Sequence, residues 1–141
     1  MKDEASSPLR FTFKKEERLS SKKLIDELFN SGSSFYLYPF KVLSLTTSAS
    51  VNSPVQVLMA VSSKNFPKAV DRNRLKRITR EAYRLNKSLL HEAQNIPQKK
   101  LLVAFIYTGK KMESFELIHQ KMTAILIRLS QNNAPVGKNT K

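Results

Sequence analysis

The run Asp71-Arg-Asn-Arg-Leu-Lys-Arg-Ile-Thr-Arg-Glu-Ala-Tyr-Arg-Leu-Asn-Lys87 leaves the chain few ways to fold. On a helix advancing about 100° per residue, Leu75, Ile78, Ala82, Leu85 and Leu89 fall in one sector. Arg72, Lys76, Arg80 and Lys87 fall opposite, with Arg77 and Arg84 on the flank and Arg74 nearer the apolar margin. One face therefore has to be covered by the rest of the chain, and the other has to meet water or anions. Seven cations against Asp71 and Glu81 are too many for intrahelical ion pairs to absorb. The pattern predicts a helix over about 71–92, capped by Asp71, whose charge also suits the positive end of the dipole.

The remaining elements supply the cover. Ser20 or Ser21 caps a first helix whose stripe is Leu24, Ile25, Leu28 and Phe29, and Gly32 is expected to end it in the left-handed conformation. Aromatic and β-branched residues from Phe35 to Thr46 predict a strand, and Thr47 to Pro54 a loop. Val55 to Val61 is apolar almost throughout, which suits a central strand covered on both faces. Leu101 to Tyr107 predicts a third buried strand. A last helix is expected over 113–129, with Phe115, Ile118, Met122, Ile125 and Leu129 three and four apart. The order helix, strand, strand, helix, strand, helix implies a small α/β sandwich with helices on a short mixed sheet. Residues 1–17 read as a flexible charged arm, 18–130 as one domain, and 131–141 as a disordered tail.

Charge narrows the partners. The 141 residues carry 25 Lys and Arg against 11 Asp and Glu, a formal net charge of +14. A polyanion relieves the self-repulsion of such a domain, and nucleic acid gains further from counterion release. Arginine dominates the helix, and its planar fork binds phosphate bidentately and stacks on bases. A membrane-bound amphipathic helix fits less well, because the non-basic face is needed for the core. The longest apolar run is too short to span a bilayer, the start is not a signal peptide, and Cys is absent. A cytoplasmic protein without a membrane partner is expected.

The run Ala60-Val-Ser-Ser-Lys-Asn-Phe-Pro-Lys-Ala-Val-Asp-Arg-Asn-Arg-Leu-Lys-Arg-Ile-Thr-Arg-Glu-Ala-Tyr-Arg84 resembles the bacterial ribonuclease P protein component family. Its pattern is a loop with Ser and Lys, then Ala-Val, then Arg-Asn-Arg-x-Lys-Arg-x-x-Arg and an aromatic. Here these are Ala69-Val70, Arg72, Asn73, Arg74, Lys76, Arg77, Arg80 and Tyr83. The resemblance covers about 18–129 and implies an α+β fold of the ribosomal protein S5 domain 2-like type, with a left-handed βαβ crossover. It implies that Arg72, Asn73, Arg74 and Arg77 contact the catalytic RNA, and that Lys76 and Arg80 lie near the 5′ leader of precursor tRNA. The leader cleft would run on the exposed sheet face beside the first helix, at Ile25, Phe29, Phe40 and Leu43. Ile25 and Leu43 are aliphatic where aromatics are usual. In the loop, Ser63 stands where Lys is common and Pro67 near the usual Gly, leaving Lys64 and Lys68 as contacts.

The family also implies that the RNA cleaves, using Mg²⁺, with no metal site and no catalytic residue in the protein and no obligate protein partner. The residues agree with that division. The acids are scattered, His91 and His119 each stand alone, and three glycines form no phosphate loop. Two other readings share the basic helix. One is a ribosomal or chaperone-like binder of structured RNA. The other is a DNA-binding regulator, which would need a preceding helix where this sequence has a strand and a loop.

Overall fold

The computed structural model describes residues 17–47, 55–93 and 100–132, without the side chains of 91–93 and 132. Most of the expected arm, the loop at 48–54, the linker at 94–99 and the tail from 133 lie outside the described residues.

Helix α1 (Lys22–Ser31) begins at Ser21, whose Oγ accepts from the Leu24 N–H at 3.4 Å. It stops at Gly32, though not for the expected reason. Gly32 has φ −73° and ψ 157°, extended backbone open to any residue. Space excludes a side chain there: a Cβ would stand 2.5 Å from the Leu28 carbonyl oxygen and 2.9 Å from that of Ser44.

The single strand expected from Phe35 is a hairpin. β1 (Ser33–Leu37) turns at Tyr38-Pro39, a cis peptide, into antiparallel β2 (Phe40–Thr47). Pro39 has no N–H to give to a ladder, so the strand breaks there. β3 (Val55–Val61) has the predicted bounds, and β4 (Lys100–Tyr107) those bounds plus one residue. The sheet order is β1-β2-β4-β3, with β4 antiparallel to β2 and parallel to β3. β3 is thus an edge strand, not a central one. β4 holds the centre, and Leu101, Val103, Phe105 and Tyr107 feed one core while Leu102 and Ala104 feed the other. Outside β3, Arg18 bridges Val57 and the Leu19 N–H donates to the Val57 carbonyl at 2.9 Å. That pairing blunts the free edge.

The long helix expected over 71–92 is two: α2 (Ala69–Asn86) and α3 (Ser88–Ala93). Helix α4 (Phe115–Asn132) completes the chain. Leu90 is buried and Leu89 exposed, opposite to the expected wheel, because Leu90 falls about 20° from buried Tyr83 at 100° per residue. Within α2 the buried positions are Leu75, Thr79, Ala82 and Tyr83, with Leu85 exposed. The face has rotated toward Tyr83 because α2 packs on α4 as well as on β3. The Tyr83 ring lies 5.8 Å from that of Phe105.

Helices α2 and α4 cover one face of the sheet with Leu75, Ala82, Ile118, Met122, Ile125 and Leu129. Helix α1 covers only part of the other, burying Leu24 and Leu28 against Leu43, Leu102 and Ala104. Beside it one cross-strand row runs Tyr36, Lys41, Ile106, Ala60. None of the four is fully buried.

Candidate nucleic-acid interface

The cations of α2 divide by position. Asn73, Arg74 and Arg77 are exposed, and Lys76 and Arg80 are half-buried. No acid among the described residues pairs with Arg74, Lys76, Arg77 or Arg80. Arg77 lies outermost, with Lys76 and Arg80 on the flank, so the basic face is rotated together with the buried one. Arg72 is half-buried, and its Nη1 donates to the Phe66 and Pro67 carbonyls at 2.9 and 2.8 Å. Capping also differs from expectation. The helix starts at Ala69 behind Lys68, which makes no side-chain cap, and Asp71 sits in the first turn. There its charge still faces the dipole.

The loop before α2 is built rather than slack. Phe66 anchors it in the core, the Ser62 Oγ accepts from the Asn65 N–H at 3.3 Å, and the Asn65 Nδ2 donates to the Thr108 carbonyl at 3.2 Å. Lys64 and Lys68 project from this frame and are exposed. With the start of α2, they gather cations at the sheet end where β3 and β4 finish.

Two cations expected on this face or its flank, at the C-terminal end of α2 and just past it, have other work. Lys87 is buried and its Nζ donates to both Glu17 oxygens, at 2.9 and 2.8 Å, with the two side chains only 7 and 9% exposed. Arg84 pairs with Glu81 at 2.5 Å. That bond holds the Glu81 carboxyl below its usual range and raises the guanidinium. Burial, followed by the Glu17 charge, pushes the Tyr83 hydroxyl upward.

Of the four sheet-face candidates, two belong to the interior. Phe40 is 0% exposed on the α2/α4 side, edge-on to Phe105 and Tyr107 at 6.3 and 5.6 Å. Leu43 points to the opposite side but lies buried beneath α1. Phe40 has no surface to offer a base, and Leu43 very little. Phe29, 48% exposed, and half-buried Ile25 do reach the surface from α1. Sequence reasoning gives Tyr36 less weight as an RNA-facing aromatic than Phe29 or Phe40, and passes over Lys41 on the same sheet face and Lys110 and Lys111 at its end. The strand alternation placing Tyr36 and Lys41 was there to be used, given the hairpin register.

Among the described residues, no group of three or more His, Asp or Glu could hold a metal ion. The His119 ring stacks on Phe115 at 5.4 Å, and the His91 side chain lies outside the described residues. No described helix is long and apolar enough to cross a membrane. A small mixed sheet with a cation-rich helix edge and, among the described residues, no gathered acids defines the class: a small α+β domain with a face suited to a polyanion.

The comparisons specify the family. A model of the family Ribonuclease P matches residues 13–130. The ribonuclease P protein component of Porphyromonas gingivalis is 35% identical over 127 residues, covering 90% of this chain and 93% of that one. That of Chlorobium phaeobacteroides is 41% identical over 132 residues, covering 85% and 90%. The RNase P protein of Thermotoga maritima superposes with a TM-score of 0.62 at 26% identity, covering 79% of this chain and 96% of that one. The RNase P protein of Staphylococcus aureus shares the fold, with a TM-score of 0.59 at 21% identity over 78% of this chain and 92% of that one. This chain belongs to the ribonuclease P protein family.

Proposed function

We propose that this chain, a protein subunit of ribonuclease P, binds the enzyme's RNA and the 5′ leader of precursor tRNA, and so assists removal of the leader. Arg72, Asn73, Arg74 and Arg77, with Lys64 and Lys68, take the catalytic RNA. Lys76 and Arg80, on the half-buried flank of α2, take leader phosphates, while Phe29 and Ile25 offer an apolar edge to its bases. Cleavage and its Mg²⁺ belong to the RNA, and this chain contributes electrostatics and position. The assembly works in the cytoplasm, without a membrane or an obligate protein partner.

One observation carries the reading: the first three turns of α2 hold cations that no acid among the described residues neutralises, beside a braced loop with two exposed lysines. A fold keeps such charge for a polyanion. Arg72 fits in a second capacity, since its bonds to the Phe66 and Pro67 carbonyls fix the loop to the helix.

The test is reconstitution with the ribonuclease P RNA of the same genome. The protein should strengthen binding of leader-bearing precursor tRNA more than binding of mature tRNA. Replacing Lys76 and Arg80 with Ala should shrink that preference about tenfold while leaving affinity for the catalytic RNA within a factor of two or so. Equal gains for both substrates with the unaltered protein would instead favour a general binder of structured RNA.

A further inference from the structure

The two edges of the sheet are finished differently. Along β3, the bridge from Arg18 and the bond from the Leu19 N–H both end on Val57, so part of that edge is paired. Along β1, only β2 pairs with the strand among the described residues, and the outer side is bare. Alternate residues of an antiparallel edge strand turn both N–H and C=O away from their partner. Such a row templates a further strand, and folds usually blunt it with charge, proline or a bulge. β1 reads Ser-Ser-Phe-Tyr-Leu, without a charge or a proline, and its five pairs with β2 run one-to-one. Ser33, Ser34 and Tyr36 are exposed, and Phe35 and Leu37 half-buried.

The strand is held at both ends. Before it, the Gly32 N–H donates to the Leu28 carbonyl at 2.9 Å. After it, the carbonyl of buried Pro39 accepts from the Thr108 and Gly109 N–H groups at 2.8 and 3.3 Å. A template fixed in this way loses little freedom when a partner is added.

The surrounding side chains define what suits the edge. Alternation puts Phe35 and Leu37 on the α2/α4 side, and Ser34 and Tyr36 on the side of α1. On the first side, the Arg128 guanidinium of α4 lies 4.0 Å over the Phe35 ring. On the second, exposed Lys41 stands directly across from Tyr36. No acid among the described residues pairs with Arg128 or Lys41. Each face of the edge thus offers a ring beside an unneutralised cation.

We infer that the β1 edge is a docking site for an extended acidic segment of another protein, added to the sheet as a fifth strand. The main chain of that segment matches the free N–H and C=O groups of β1. Its acids meet Arg128 on one face and Lys41 on the other, and its apolar residues lie against Phe35 and Tyr36. Two other occupants answer the surface less well. An RNA strand offers phosphate oxygens to the N–H groups but only 2′-hydroxyls to the carbonyls. A second copy brings its own Arg128 and Lys41 to the seam, on a chain that already carries a net charge of +14. The inference stands apart from the RNA reading of α2, which adjoins β3 at the opposite edge, so both partners can be held together.

The experiment uses the full chain, alone and reconstituted with ribonuclease P RNA. The probe is a peptide of about nine residues repeating Glu-Thr-Val, which puts acids on both faces of a strand. It should slow hydrogen exchange at alternate β1 amides about tenfold or more in both preparations. The same peptide N-methylated throughout, and one with Lys in place of Glu, should bind at least about tenfold more weakly. Arg128→Ala with Lys41→Ala, both surface positions, should weaken the acidic peptide about fivefold. Equal binding of the N-methylated peptide, or protection confined to α2, would show charge attraction alone and overturn the docking site. So would β1 protection that rises with protein concentration in the absence of peptide, which marks a second copy. Protection of β1 by the RNA, with the peptide excluded from the holoenzyme, would assign the edge to RNA and overturn it equally.

Discussion

The two ends of helix α2 carry the same kinds of side chain and put them to opposite uses. Over Arg72 to Arg80 the cations lack acid partners among the described residues, and Arg72 spends one nitrogen on loop carbonyls. Over Arg84 and Lys87 each cation has an acid, Glu81 in one case and Glu17 in the other. Positive charge on a helix is therefore not by itself a binding site. What separates the ends is whether the chain has supplied its own counter-ion, and that follows from topology. Glu17 reaches Lys87 because the segment through Leu19 runs along the free edge of β3.

The sharpest way to break this contrast is at Lys87. Removing one member of a buried ion pair strands the other, at a cost of about 3–5 kcal/mol. Lys87→Met should lower unfolding stability by that order in denaturant titration, and Glu17→Met added to it should restore most of the loss. Once folded, neither protein should bind RNA with an altered salt dependence. A changed salt slope in a stably folded Lys87→Met protein would place this residue among the RNA contacts and erase the distinction. The opposite signature is expected at the other end. Arg72→Ala with Arg74→Ala should weaken catalytic-RNA binding about tenfold and flatten the log–log salt slope by about 0.7–0.9 per lost phosphate contact. Its effect on unfolding stability should be much smaller, confined to the loop bonds of Arg72.

The contrast was only half visible in the sequence. Regular alternation and long apolar runs located β3, β4 and α4 closely, and the clustering of Arg72 to Arg80 marked the basic helix. Signals that depend on distant partners did not show. Lys87 looked like one more surface cation because Glu17 is seventy residues away. Leu85 looked inward and Tyr83 did not, since a wheel fixes the angles between residues but not which direction the sheet and α4 occupy. The same gap misplaced Phe40 and Leu43. Their side chains point to opposite faces, but both faces are covered at those positions, one by α2 and α4 and the other by α1. The hairpin at Pro39 was the missing step, because only its register aligns Tyr36 with Lys41.

The smallest expected effect concerns the C-terminal end of α2, where Glu81 and Arg84 meet one turn apart. The carboxyl is nearly half exposed, so solvent screens the bond, and the pair is worth about 0.3–0.5 kcal/mol. Its sign with pH is fixed by the direction of the Glu81 shift. A carboxyl held below its unfolded value, about 4.3, stabilises the fold above that pH and loses the contribution as pH falls through the folded value. Glu81→Gln should therefore cost a few tenths of a kcal/mol near neutrality and nothing at low pH, where the native residue is already protonated. The same substitution removes the carboxylate that Glu81 sets against Arg84. If an internal counter-ion is what keeps that end of the helix from RNA, Glu81→Gln should raise affinity for the catalytic RNA a few-fold at low salt and steepen the salt slope by up to about 0.9. An unchanged slope would mean that Arg84 lies beyond the reach of the RNA, and that position along the helix, rather than pairing, divides its two ends.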